Sequence, residues 1–123
     1  MPAQLVVSVV DDDESVRESL PPLLEALGFV ARAFTSAEAF LASDAIARTS
    51  CLILDITMPG MSGVELYREL KVRGCNIPVI FITARGNGPL RQGLLEEGAV
   101  ECLDKPFDDT ALLQALKKAL AGG

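Results

Sequence analysis

A chain of 123 residues, half of them hydrophobic and 23% charged, has the length of one ordinary domain and enough apolar material to bury a single core, which excludes a disordered polypeptide. Seventeen acidic residues against eleven basic ones leave a formal charge of -6, so the surface as a whole repels nucleic acid and anionic membrane, and direct binding to either is not expected. With no histidine, and with Cys51, Cys75 and Cys102 scattered outside any C-x-x-C spacing, zinc sites, Ser-His and Cys-His nucleophiles and a phosphohistidine role are removed, which leaves carboxylate chemistry and reduced, mostly buried thiols.

In chain order, Met1-Pro2-Ala3-Gln4 carries no basic side chain, and the apolar run Leu5 to Val10 is far too short for a signal or a membrane span, so a cytoplasmic protein is expected. That run reads as the first strand. It ends in Asp11-Asp12-Asp13-Glu14 and leads into a helix that stops at Gly28, with Pro21-Pro22 predicted to kink it because each proline removes a hydrogen bond and clashes with the preceding turn. Phe29 to Phe34 is the second strand, and Thr35 to Glu38 has the spacing of a capping box opening the second helix. Cys51 to Leu54 is the third strand, ending at Asp55, after which Met58-Pro59-Gly60-Met61 reads as a tight turn. Ser62 to Glu65 is a second capping box, with Gly63 letting the third helix start close to the sheet and Gly74 ending it. Pro78 to Thr83 is the fourth strand, Gly98 closes the fourth helix, and Val100 to Leu103 is the fifth strand, followed by Lys105. A last helix starts near Asp108 and carries Leu112, Leu113, Leu116 and Leu120 on one side.

Runs such as Val79-Ile80-Phe81-Ile82 do not alternate with polar residues, as expected of parallel strands covered on both faces. The fold class is therefore α/β, a five-stranded parallel sheet doubly wound by five helices, in one domain over residues 1–123. Ligands of such sheets bind at the carboxyl ends of the strands. Those ends carry Asp11 to Glu14, Asp55, Thr83 and Lys105. Taken singly, each has an ordinary reading: an acidic first helical turn, a loop aspartate, a strand-end hydroxyl, a surface lysine. Together they supply what a transferring phosphoryl group needs, namely a nucleophile, a metal site and a cation with a hydroxyl donor. A carboxylate cluster of hard oxygens suits Mg2+, and without a cation it raises a carboxylate pKa.

The string Val9-Val10-Asp11-Asp12-Asp13-Glu14, the segment from Leu54 through Asp55 to Leu66, the pair Thr83-Ala84 and Lys105-Pro106-Phe107 together resemble bacterial two-component response regulator receiver domains across nearly the whole chain. The resemblance implies a flavodoxin-like (βα)5 fold with Asp55 as phosphoacceptor. It also implies Mg2+ held by Asp11, Asp12, Asp55 and the backbone carbonyl of Thr57, with Thr83 and Lys105 on the phosphoryl oxygens. With three consecutive aspartates the acid pair is either Asp11 and Asp12 or Asp12 and Asp13; the family pattern places it directly after the strand. A cis Lys105-Pro106 bond is also implied. The implied partner is a histidine kinase or phosphotransfer protein, met by a surface that involves the first helix. The fourth helix, fifth strand and last helix form the usual output face, which supports a phosphorylation-dependent homodimer or covers an effector. The segments at 36–41 and 98–107 look most like receivers joined to helix-turn-helix transcription factors, implying transcriptional control through an effector outside this chain.

Receivers usually carry tyrosine or phenylalanine where this chain has Cys102, so the route of switching differs here. The Arg85-Gly86-Asn87-Gly88-Pro89 segment is the expected mobile element in its place. Rival readings are weaker. A dehalogenase-type phosphatase has a second aspartate where Thr57 stands, a nucleotide-binding fold needs a glycine fingerprint where the acidic turn lies, and a pseudo-receiver would not keep the full residue set. The chain is thus read as a phosphoacceptor that catalyses at most its own phosphorylation and dephosphorylation, not as an enzyme.

Overall fold

A computed structural model describes residues 5–84 and 88–121. The described elements are β1 (Val6–Val10), α1 (Glu14–Ala26), β2 (Val30–Phe34), α2 (Ala37–Leu41), α3 (Ala45–Arg48), β3 (Cys51–Asp55), α4 (Gly63–Val72), β4 (Val79–Thr83), α5 (Gly88–Glu96), β5 (Glu101–Asp104) and α6 (Asp109–Ala121). All strands pair in parallel in the order β2-β1-β3-β4-β5. The order reverses between β1 and β3, which opens a crevice beyond their carboxyl ends.

Alternate residues of the central strands serve two cores. Val7, Val9, Cys51, Ile53, Ile80 and Ile82 pack under α1 and α6. Val10, Leu52, Leu54, Val79, Phe81 and Cys102 pack under α2, α3, α4 and α5. Every residue of β3 and β4 is buried, which is why neither strand shows a polar alternation in its sequence.

Several sequence expectations are corrected. There are six helices among the described residues rather than five, because the second helical stretch breaks at Ser43, whose hydroxyl donates to the Phe40 carbonyl (2.7 Å) and accepts from the Ala45 amide (3.1 Å). A serine that bonds its own backbone in this way competes with helix continuation. The expected fourth and last helices are therefore α5 and α6. The capping box at Thr35 does not form; Ser36 is the cap and accepts from the Ala39 amide at 3.0 Å. The Ser62 and Glu65 box forms in both directions. α1 is continuous through Pro21 and Pro22, as a helix kinked at proline also is, and the carbonyls of Arg17 and Glu18 lie on a partly solvated side. On α6 the fully covered positions are Leu112, Ala115, Leu116 and Ala119, with Leu113 left half-buried. Of the expected mobile element, residues 85–87 lie outside the described residues.

Candidate functional site

Four strand ends build the site. Asp11 follows β1 and is fully buried; Asp55 ends β3 and is 6% exposed. Their strands are neighbours, with Val10 opposite Leu54, so the two carboxylates flank the point where the strand order reverses. Asp12, exposed to solvent, completes a cluster in which one carboxylate oxygen from each of Asp11, Asp12 and Asp55 lies within 4.8 Å of the others.

The three consecutive aspartates divide their labour. Asp13 is the N-cap of α1, accepting from the Ser15 amide and hydroxyl at 2.9 Å each, and these bonds hold its carboxyl below the usual range. Its own amide donates to Asp11 Oδ1 at 2.9 Å, and Arg17 donates to the Asp11 carbonyl at 2.9 Å. Capping therefore occupies Asp13 and fixes Asp11 at the floor of the crevice. The cluster uses Asp11 and Asp12.

Lys105, one residue beyond β5, donates its backbone amide to the Thr83 carbonyl at 2.7 Å. Its ammonium lies 2.9 Å from Asp11 Oδ2 and 3.7 Å from Asp55 Oδ1, and the Lys105-Pro106 bond is cis. Thr83 is buried at the end of β4, next to the Ile82 that pairs with Asp55. Its hydroxyl donates to the Ala84 carbonyl at 2.9 Å. Thr57 is exposed two residues beyond Asp55. Gly63 at the start of α4 abuts the strand end: a Cβ there would lie 1.9 Å from the Asp55 carbonyl oxygen.

Burial first, and the Asp11 charge second, push the Asp55 carboxyl up to about 7, against the opposing pull of Lys105 and the Thr57 amide. Burial works against the Lys105 charge, but the bond to Asp11 and the surrounding carboxylates outweigh it and raise the ammonium above its ordinary value. Asp11 and Asp55 thus share one lysine. Apart from that ion pair, buried Asp11 Oδ2 has no hydrogen-bond partner. An all-oxygen donor set with surplus negative charge and an oxygen left without a hydrogen bond fits a hard divalent cation.

One contributor makes a contact that its local motif does not announce. Glu38, on α2, reaches 23 positions along the chain to accept the Met61 amide at 3.1 Å. No spacing rule signals that contact.

A sheet of this order with this crevice defines the flavodoxin-like doubly wound fold, the fold of receiver domains. The family model of the response regulator receiver domain matches residues 7–117, and the chain belongs to that family. It is similar to Transcriptional regulatory protein FixJ of Azorhizobium caulinodans, 44% identical over 120 residues, covering 98% of this chain and 57% of that protein. It is also similar to Response regulator protein TodT of Pseudomonas putida, 40% identical over 115 residues, covering 94% and 51%. Among solved structures it resembles FixJ-N at 42% identity and a TM-score of 0.87, covering 98% of this chain and 96% of that one. The chain spans about half the length of these curated relatives. Among the described residues, no helix is long and apolar enough to cross a membrane.

Proposed function

We propose that this domain accepts a phosphoryl group on Asp55 from a phosphohistidine of a histidine kinase or phosphotransfer protein and relays the change to an effector that controls transcription. The observation that carries this reading is the clustering of the Asp55 carboxylate with those of Asp11 and Asp12 at the sheet's switch point, with the Lys105 ammonium 2.9 Å from Asp11 and 3.7 Å from Asp55.

An Asp55 carboxylate oxygen attacks phosphorus in line, the phosphorus–nitrogen bond of the donor breaks, and the leaving imidazole nitrogen takes a proton from solvent. The product is an acyl phosphate on Asp55. Lys105 supplies a fixed cation to the phosphoryl oxygens, held by its strand end, and the Thr83 hydroxyl supplies a hydrogen bond by turning its donor from the Ala84 carbonyl. Asp11, Asp12, Asp55 and the Thr57 carbonyl would hold Mg2+, which when bound neutralises the charge shared between carboxylates and phosphoryl oxygens. The same step in reverse, with water in place of imidazole, returns the carboxylate, so the domain's catalysis is confined to its own modification.

The donor protein meets a groove of about 660 Å³ beside the site, between α1 and the β5–α6 connection, lined by Val16, Leu20, Leu23, Pro106 and Phe107. Output runs through α5, β5 and α6, where Arg91 pairs with Glu101 (3.9 Å) and Asp104 (3.6 Å); this face also supports a phosphorylation-dependent homodimer. Transcription enters because one relative, FixJ, of which this chain covers 57%, is a transcriptional regulatory protein, and the reading places the chain in the cytoplasm.

Mass spectrometry after incubation with acetyl phosphate and Mg2+ tests the reading. The parent gains one phosphoryl group in a Mg2+-dependent manner and Asp55→Asn does not. A folded, Mg2+-binding parent that gains nothing would refute it.

A further inference from the structure

Within the site just proposed, we infer that Glu38 is a positioning residue that holds the loop from Thr57 to Met61 in the shape the cation site requires. The inference rests on that reading of the site and adds to it a residue from a different element.

The loop begins at Asp55 and ends at α4. Its base is closed by the Gly63 amide on the Ile56 carbonyl at 2.9 Å, and α4 is closed by its capping box. Between these points the sequence Met58-Pro59-Gly60-Met61, with Gly60 at φ 73°, has the residues of a type II turn. Such a turn is commonly closed by the amide of its fourth residue on the carbonyl of its first. Among the described residues no backbone bond joins Met61 to Met58. The Met61 amide instead donates to Glu38 Oε2 at 3.1 Å. The turn is open in its own backbone and closed from outside by a side chain.

Two features tie Glu38 to this task. Its carboxyl sits against the loop so closely that a Cβ on Gly60 would lie 2.8 Å from Glu38 Oε2, so glycine at 60 meets both the backbone conformation and the approach. Ser36 caps α2 just ahead of Glu38, which fixes the helix end from which the side chain reaches. Backbone amides, its own first and that of Met61 next, hold the Glu38 carboxyl below the ordinary carboxylate range. The acceptor is an anion and its bond to Met61 is charge-assisted. Glu38 is not a member of the cluster; it acts on the cluster through the backbone of Met58, Pro59 and Gly60 that joins Met61 to Thr57.

Glu38→Ala and Glu38→Gln separate this role from a merely structural one, read by calorimetric titration with Mg2+ and by hydrogen exchange. Supporting groups of this kind change metal affinity by roughly tenfold or more when removed; one step further out, Glu38→Ala weakens Mg2+ binding by about threefold to tenfold. Amide exchange speeds up at residues 57–61, while the unfolding midpoint without Mg2+ stays close to the parent's. Glu38→Gln, which keeps an acceptor oxygen, recovers most of both effects. Parent-like Mg2+ affinity and parent-like exchange in Glu38→Ala would overturn the inference while leaving the site reading intact. A parent that binds no Mg2+ would overturn the site reading itself and this inference with it.

Discussion

Burial and the neighbouring Asp11 carboxylate hold the Asp55 acid up at about 7, above its ordinary value of 3.8, and that direction sets how the metal-free fold responds to pH. An acid with a raised folded pKa binds more protons when folded than when unfolded. Its contribution is therefore neutral below the unfolded pKa, turns progressively unfavourable as pH rises from 3.8 to about 7, and stays at its full penalty above. In Mg2+-free buffer, Asp55→Asn stabilises the protein by on the order of 2 kcal/mol at about pH 8 and by almost nothing at about pH 4. Urea denaturation at the two pH values checks this, and an equal effect at both would remove ionisation as the cause. Gly63 poses a steric rather than an electrostatic test. A Cβ 1.9 Å from the Asp55 carbonyl oxygen cannot be accommodated without moving α4 off the strand end, so Gly63→Ala costs about 2–4 kcal/mol in the same experiment. Sequence reading placed Asp11, Asp55, Thr83 and Lys105 at strand ends correctly, because a strand end is announced by the apolar run before it. It had no means of seeing that Asp13 is spent on capping α1 or that Glu38 reaches Met61, since both depend on which way a side chain turns in the folded chain.

At the scale of elements, all five strands lie within a residue or so of the apolar runs that announced them; in β3 and β4 burial on both faces leaves an unmistakable stretch of β-branched and aliphatic residues, while the edge strands β2 and β5 are only partly covered. Helix boundaries were less legible. The break between α2 and α3 turns on the hydroxyl of Ser43, and the choice of Ser36 over Thr35 as cap depends on the angle at which the chain leaves β2. The end of α5 shows another arrangement that no periodicity reveals. Tyr67 packs edge-on against Phe81, with ring centroids 5.3 Å apart, and donates its hydroxyl to the Glu97 carbonyl at 3.2 Å. Lys71 donates to the same carbonyl, and Arg68 pairs with the Glu97 carboxylate at 2.9 Å. Three side chains of α4 thus converge on the residue that follows α5, where cationic groups also complement the helix dipole. Tyr67→Phe removes one half-buried bond and lowers stability by about 1 kcal/mol. Arg68→Ala, on an exposed pair, changes it little. In hydrogen exchange, both variants speed up the last turn of α5 more than any part of β3; uniform acceleration across the domain would show that the convergence does not anchor that helix end locally.

Across the whole molecule, the three thiols sit at places that separate local opening from switching. Cys51 lies in β3 at the centre of the sheet, fully buried, and burial pushes its thiol up to about 12. Cys102 lies in edge strand β5, also fully buried and raised by burial, beneath the face that carries α5 and beside Phe81 of β4. Cys75, after α4, is partly exposed. Because the thiolate is the reactive form, alkylation of the native protein goes to Cys75 first, and Cys51 and Cys102 react only as the structure opens. Phosphorylation adds a contrast between those two. If the signal leaves through α5 and β5, displacement of α5 uncovers Cys102 without opening the central sheet, since no aromatic ring at position 102 fills the space. The rate at Cys102 then rises severalfold in the phosphorylated domain while the rate at Cys51 stays unchanged, as followed by mass spectrometry of alkylated peptides with and without acetyl phosphate and Mg2+. Equal rises at both cysteines would mean that phosphorylation loosens the whole fold. A constant Cys102 rate would mean that α5 stays seated on β5, and the output surface would have to lie on the α1 and α6 side of the sheet.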